Sequence, residues 1–346
     1  MLRAVRLWSY TLRLPEVMPD LPLGTSAAST EGIAADLAII IPAFKPDYLE
    51  AALQSIASQT TRGFRVYVGD DASPHDLRAV CERFAGQFPL VYRRFESNLG
   101  GTSLVGQWQR CIGLSAGEPW IWLFSDDDVM GAACVAAWRQ ARDASPSASV
   151  FHFDVVRIDA AGTPIQSEPR FPDRLSSREF ALRRFRTQLM SYAPDYIFRR
   201  TALERAGGFP EFPLAWCSDD AAWVAFAQPD GIHAVRGACV YWRYSGANIT
   251  AQGTHTAHRK VQAAAAYLAW MDRFLATHAA HAGEPADDEI IRAGRYWFFN
   301  QAAGLGYRFY AGSSWTKLAF GIGRLRGHGV FKTALRMLVS DLQRRA

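Results

Sequence analysis

Between residues 37 and 124 the chain alternates short apolar runs with amphipathic stretches. The runs at 37–42, 64–69, 90–95 and 120–124 are rich in β-branched and aromatic residues and do not alternate with polar ones. That is the pattern of strands buried on both faces of a parallel sheet. Pro42 closes the first run, because proline cannot donate to a ladder. The intervening stretches predict helices. The first begins at Asp47 as N-cap, with Glu50 three residues on and Leu49, Leu53 and Ile56 at helical spacing. The second is expected over 74–88 and the third over 104–115. Strand and helix in this order predict right-handed βαβ units and an α/β class fold whose first half is of nucleotide-binding type.

Beyond residue 148 the pattern changes. Residues 149–158 alternate as an exposed or antiparallel strand does, 160–173 form a polar, proline-bearing loop, and 176–190 read as a basic helix. A short strand at 196–198 precedes a helix from about Thr201, which Gly207 and Gly208 end in C-cap fashion. A helix over 221–227 and a last strand over 233–240 follow, and from Thr256 the chain reads as helical, first alanine-rich and then basic and aromatic. The expected organisation is an extension or linker at 1–35, a catalytic domain at 36–255 with halves 36–130 and 131–255, and a helical, basic C-terminal region at 256–346.

The run at 120–124 ends in three consecutive carboxylates, Asp126, Asp127 and Asp128. Carboxylates at the C-terminal end of such a strand stand where open α/β sheets bind ligands. Adjacent like charges raise one another's pKa unless a cation or donor-rich ligand neutralises them, and hard oxygen ligands suit Mg²⁺ or Mn²⁺. A solvated acidic turn or a helix N-terminus fits the same three residues. Asp70 and Asp71 follow the second strand in the same way, and their plain reading is as caps of the following helix. Asp219 and Asp220 form a third acidic group in an aromatic setting with Trp216 and Trp223, and equally read as caps.

Composition narrows the classes. Half-apolar content (49%) excludes global disorder. The net charge of +5 is concentrated late: from residue 291 onward ten Arg and Lys stand against the single acid Asp341. Five widely spaced cysteines in apolar context read as reduced core residues of a cytoplasmic protein, not as disulfides or a zinc site. His152, His233, His255 and His258 show no metal spacing. No GxGxxG follows the first strand and no GxxxxGK[ST] occurs, which disfavours dinucleotide enzymes and P-loop NTPases. No run of 18 apolar residues is present and no signal peptide is expected at 1–15. Trp315, Leu318, Phe320, Ile322 and Leu325, interleaved with Lys317, Arg324 and Arg326, mix residues as interfacial helices do. Peripheral contact with the inner membrane and packing on the catalytic domain both fit that segment. Nucleic-acid binding has only the basic tail to suggest it and no motif.

Taken in order, these motifs resemble glycosyltransferase family 2. The matching segments are Ile40-Ile41-Pro42-Ala43-Phe44, Ser55-Ile56-Ala57-Ser58-Gln59-Thr60, Val68-Gly69-Asp70-Asp71-Ala72-Ser73 with Ala72 in place of the usual glycine, Asn98-Leu99-Gly100, Gly117-Glu118, Ser125-Asp126-Asp127-Asp128, and Gly207-Gly208-Phe209 followed by Ser218-Asp219-Asp220. The resemblance spans about residues 37–250. It implies a GT-A fold and an inverting transfer of sugar from a nucleotide-diphosphate donor to a glycan or lipid-linked saccharide acceptor. It also implies a divalent metal (Mn²⁺ or Mg²⁺) and a role in O-antigen, capsule or exopolysaccharide synthesis. By the same resemblance Pro42, Ala43 and Phe44 line the nucleoside, Asp71 and Asp70 accept from the base, and Asp126 meets ribose. Asp127 and Asp128 bind metal or its waters, Arg243 closes on the diphosphate, and Asp219 or Asp220 is the general base. The family's Glu-Asp stands here as Ser218-Asp219-Asp220, and spacing to Trp223 favours Asp219. The absence of a Q-x-x-R-W sequence disfavours processive synthesis. A catalytically silent module that binds nucleotide or glycan is the alternative.

Overall fold

A computed structural model describes residues 35–246, 248–249 and 256–304. The N-terminal extension and the basic segment around Trp315 to Arg326 lie outside the described residues.

The four apolar runs form strands β1 (Leu37–Ala43), β2 (Phe64–Asp70), β3 (Leu90–Arg94) and β4 (Trp120–Leu123), side by side in the order β3-β2-β1-β4 and all parallel. Period-two alternation sorts their side chains onto two faces. Leu37, Ile39 and Ile41 of β1 join the core beneath helices α1 (Leu49–Ala57), α2 (Leu77–Glu82) and α4 (Cys134–Ala144). Ala38 and Ile40 face the opposite core, built with α3 (Leu104–Ile112), α5 (Ser177–Phe185), α6 (Arg200–Ala206), α7 (Ser218–Phe226), α8 (Ala257–Thr277) and α9 (Asp287–Gly304). The result is a sheet between two helical layers.

Beyond β4 the sheet turns mixed. Strand β9 (Tyr196–Arg199) pairs antiparallel with β4 and with β6 (Val150–Ile158); β6 pairs parallel with β10 (Ile232–Arg243), and β5 (Val129–Met130) pairs antiparallel with β10. Since β9 reverses direction twice, β6 and β10 run the same way as β4. The ends of β1, β2, β4, β6 and β10 therefore lie along one edge, and that edge receives every acidic group singled out in the sequence.

Several local expectations change. The strand β1 runs through Pro42 to Ala43, and the first helix has Tyr48, not Asp47, at its N-cap, with no side-chain cap. The second helix is only Leu77–Glu82, capped by Asp76 through the Ala79 N–H, because 83–88 fold as turns. Strand β6 is mostly buried and parallel to one neighbour, so its alternation marks a mixed-sheet strand and not an exposed one. The polar loop contains β7 (Pro164–Ser167) on the β6 edge, followed by β8 (Arg174–Leu175) against β10. Strand β10 continues to Arg243, three residues past the expected end at 240. Helix α4 and strand β5 were not signalled, as Gly131 and the alanines around Cys134 blur the apolar period. Gly207 does cap α6 in left-handed conformation, at φ 75°.

Helices α8 and α9 pack on the face that carries α5 and α7. The buried Arg178 ties them down: its guanidinium donates to the carbonyls of His278 (2.8 Å) and Pro285 (3.0 Å) and pairs with Asp287. Among the described residues no helix is long and apolar enough to cross a membrane, and the five cysteines are unpaired.

The centre of the sheet is held by Trp122, which is fully buried, stacks on Phe153 at 4.9 Å and donates its indole N–H to the Pro194 carbonyl at 2.7 Å. Trp122→Ala is expected to lower unfolding free energy by about 3–5 kcal/mol, measured by urea denaturation; a loss below about 1 kcal/mol would show that the 193–195 turn is held by other contacts.

Candidate active site

The shared edge brings Phe44, Asp70, Asp71 and the Asp126–Asp128 turn together, because β2, β1 and β4 are neighbours. Asp126 Oδ2 accepts the N–H groups of Phe44 (2.9 Å) and Lys45 (3.2 Å), so this carboxylate fixes the loop after β1. Phe44 is left 39% exposed at the rim, while Pro42 and Ala43 lie in the strand behind it.

Asp70 is fully buried and saturated: it accepts from Tyr92 Oη (2.5 Å), Arg94 (2.9 Å) and the Ser73 N–H (2.7 Å). That arrangement fits a strut and leaves no room for a base contact. Asp71 accepts the N–H groups of Leu99 (2.7 Å) and Gly100 (2.8 Å) and pairs with Arg110. It thereby folds the Asn98-Leu99-Gly100 loop against the turn after β2. Ala72 sits at φ 54°, the left-handed conformation that glycine adopts without cost, which accounts physically for glycine being the residue this turn favours.

The three-carboxylate turn is split by its surroundings. Asp128 Oδ1 accepts the Arg243 N–H at 2.7 Å and Oδ2 is buried without a hydrogen-bond partner. Burial first, and Asp127 second, push its pKa well up. Asp128 thus points into the protein, away from the position a metal ligand needs. Asp127, in contrast, makes among the described residues only a 3.3 Å contact from Asn248 Nδ2, and burial together with Asp126 raises it to about 6. Among the described residues no three His, Cys, Asp or Glu side chains converge on one point. The donor set therefore fits an ion that takes one protein carboxylate and draws its other ligands from phosphate oxygens and water, as Mg²⁺ commonly does.

Arg243 is not a mobile lid. It is 4% exposed; Nε donates to the Asp127 carbonyl at 2.8 Å, one terminal nitrogen donates to the carbonyls of Asp159 (3.2 Å) and Ala160 (3.1 Å), and the guanidinium lies 4.5 Å over the Tyr48 ring. Its job is to hold the acid turn against the end of β10.

Asp219 and Asp220 occupy the first turn of α7, with Cys217 at the N-cap, so neither is the cap residue. Arg184 forms two parallel hydrogen bonds to Asp220, 2.9 Å to Oδ1 and 2.8 Å to Oδ2. Such a fork fixes the carboxylate in place. Asp219 has no cationic hydrogen-bond partner and accepts only the Asp220 N–H at 3.0 Å. Burial, then the neighbouring Asp220 charge, lift its pKa to about 7. The segment leading to it holds Leu214, Ala215 and Cys217 at positive φ (63°, 53° and 66°). Non-glycine residues in that region store strain that collects at functional sites.

One acid was missed. Asp195 is completely buried and accepts the Tyr192 N–H at 2.9 Å, its other oxygen is unpartnered, and His152 Nε2 stands 3.8 Å away. Its pKa is pushed well up by burial, with further contributions from Asp128 and Asp219. Burial drives His152 the other way, to about 3, so the imidazole is neutral. In the sequence Asp195 is a single acid beside a proline, with nothing to mark it. Trp223 stacks on Tyr196 at 4.3 Å and is a core residue.

The split between the aspartates has a stability signature. Asp220→Ala strands a buried guanidinium and is expected to cost about 3–5 kcal/mol. Asp219→Asn acts oppositely. A carboxyl whose folded pKa lies above its unfolded value binds more protons in the folded state, so ionising it destabilises the fold as pH rises toward 7. Asp219→Asn is therefore expected to melt above wild type at pH 8 and level with it at pH 4. Equal melting shifts for both variants across pH would contradict the assignment.

The comparisons agree with this geometry. The model described as Glycosyl transferase family 2 matches residues 38–205. No curated protein matches the chain significantly. Among solved structures, Staphylococcus aureus TarS 1–349, crystallised in complex with UDP-GlcNAc, is similar with a TM-score of 0.65 at 14% identity, covering 89% of this chain and 88% of that one. The mannosyltransferase PcManGT from Pyrobaculum calidifontis, in complex with GDP-Man and Mn²⁺, has a TM-score of 0.51 at 15% identity over 90% of this chain and 88% of its own. At these identities the likeness establishes the fold. The family match identifies residues 38–205 as a glycosyltransferase family 2 domain, and the likeness together with the sheet order shows its GT-A fold.

Proposed function

We propose that the protein transfers a sugar from a nucleotide-diphosphate sugar to a hydroxyl of a glycan or lipid-linked saccharide, with inversion, in the assembly of a cell-surface polysaccharide. The observation that carries this reading is the pair of adjacent aspartates, one neutralised by Arg184 and the other left with a pKa near 7. The donor complexes of TarS and PcManGT support the donor class.

The nucleoside lies against the loop after β1, with Phe44 at the rim and Asp71 with Arg110 at the end of β2. Asp127 is the carboxylate that would hold a divalent cation, which would supply Lewis-acid stabilisation to the departing diphosphate. Asp219 takes the proton of the acceptor hydroxyl as its oxygen attacks the anomeric carbon from the face opposite the diphosphate. One direct displacement inverts that carbon, and one base suffices for it. A base with pKa near the working pH contributes roughly 10²–10⁴-fold in rate. Asp220, Asp70, Asp126 and Arg243 position these groups and do not touch the reacting atoms.

Thermal shift of the full chain against UDP, GDP, dTDP and CMP, each with and without Mn²⁺, is expected to show stabilisation by one nucleoside diphosphate that depends on the cation and is lost in Asp127→Ala. No shift with any of them would remove the donor assignment.

A further inference from the structure

At the C-terminal ends of β6 and β10, on the acceptor side of the acid turn, three aromatic rings form a file. Tyr192 stacks on Trp242 at 4.2 Å and 18°, and Trp242 meets Tyr244 at 6.1 Å. Tyr244 follows Arg243, whose N–H holds Asp128, so the file begins one residue from the carboxylate turn. The Tyr244 ring is 41% exposed, whereas Trp242 is 7% exposed and serves as its support. Arg157, paired in register with Trp242 across the β6–β10 ladder, sets its guanidinium 5.9 Å from the Trp242 ring and 5.6 Å from that of Tyr244. Its Nε is buried and lies 3.9 Å from Glu168, which accepts from Tyr192 Oη at 3.1 Å, while the side chain as a whole is 27% exposed.

An exposed aromatic ring edged by a partly exposed arginine and a carboxylate is what a pyranose needs. Its axial C–H face packs on the ring, and its equatorial hydroxyls donate to Glu168 and accept from Arg157. A core aromatic cluster would bury Tyr244. A nucleobase would also stack, but the nucleoside side of the edge is at β1 and β2, on the far side of the carboxylate turn. We propose that Tyr244, supported by Trp242 and Tyr192 and flanked by Arg157 and Glu168, is a saccharide subsite that seats a sugar ring of the acceptor beside Asp127. This rests on the glycosyltransferase reading above.

The test is ligand-observed saturation-transfer NMR on the full chain with methyl glycosides of β-glucose, β-galactose, β-N-acetylglucosamine and α-mannose, alongside the nucleotide thermal shift. At least one glycoside is expected to bind wild type, and Tyr244→Ala to weaken that binding roughly three- to tenfold, the range that loss of an aromatic contact gives. Tyr244→Phe is expected to bind within about twofold, since the ring and not the hydroxyl makes the contact. An unchanged nucleotide shift in both variants shows that the fold and donor site are intact. Glycoside binding that survives in Tyr244→Ala, equal losses in both variants, or no binding of any glycoside to wild type would each overturn the subsite. Glycoside binding by wild type without any nucleotide shift would instead sink the donor assignment and leave the subsite standing.

Discussion

Eight carboxylates, Asp70, Asp71, Asp126, Asp127, Asp128, Asp195, Asp219 and Asp220, crowd one edge of a single sheet, and the architecture around that edge is arranged by how each is compensated. Burying an ionised carboxylate without partners is prohibitively unfavourable. Backbone amides answer Asp126, Asp71 and Asp128, guanidinium groups answer Asp70, Asp71 and Asp220, and Asp195 relies on one backbone amide beside a neutral imidazole. Asp128 and Asp195 each keep one buried oxygen unpartnered and are pushed well up, while Asp127 and Asp219, which among the described residues accept only from the Asn248 amide and the Asp220 N–H, are raised to about 6 and about 7. In the proposed reaction, substrate charge and a substrate proton satisfy Asp127 and Asp219. The same bonds that neutralise the others stitch the β1 loop, the Asn98–Gly100 loop and the end of β10 into one surface.

That constraint explains why adjacent, chemically identical residues behave differently. Asp219 and Asp220 are neighbours on one helical turn, yet successive helical positions face different directions. One meets Arg184 from α5 and the other faces the edge. Asp126, Asp127 and Asp128 diverge for a related reason. They lie in an irregular turn where the first bonds back to the β1 loop and the third bonds to the end of β10.

Much of this was legible in the sequence. The unalternated runs located the four parallel strands, since a strand covered on both faces has no polar side to show. The order of motifs located the loops that carry Phe44, Asp71, Asp127 and Asp219. What the sequence did not carry was partnership. Nothing local distinguishes Asp70, saturated by Tyr92 and Arg94, from a free carboxylate, because its partners come from the next strand. Arg243 looked like a lid because its carbonyl partners are 83 to 116 residues away in sequence. Asp195 was invisible because what marks it is complete burial with one oxygen unpartnered, which a single acid beside a proline does not signal. The left-handed turn at Ala72 was signalled by the family's glycine, although alanine occupies it here. Helices α8 and α9 were expected as a basic, helical region; their described part packs into the acceptor-side core through Arg178.

The central claim is that Asp219 is the proton acceptor and that the edge is built to leave it free. It is tested most directly by the pH dependence of kcat/KM for donor turnover in wild type and Asp219→Asn, since that parameter reports the free enzyme's essential groups. The account predicts an acidic limb near pH 7 in wild type and a fall of roughly 10²–10⁴-fold without that limb in Asp219→Asn. A variant that retains both the rate and the limb would contradict it.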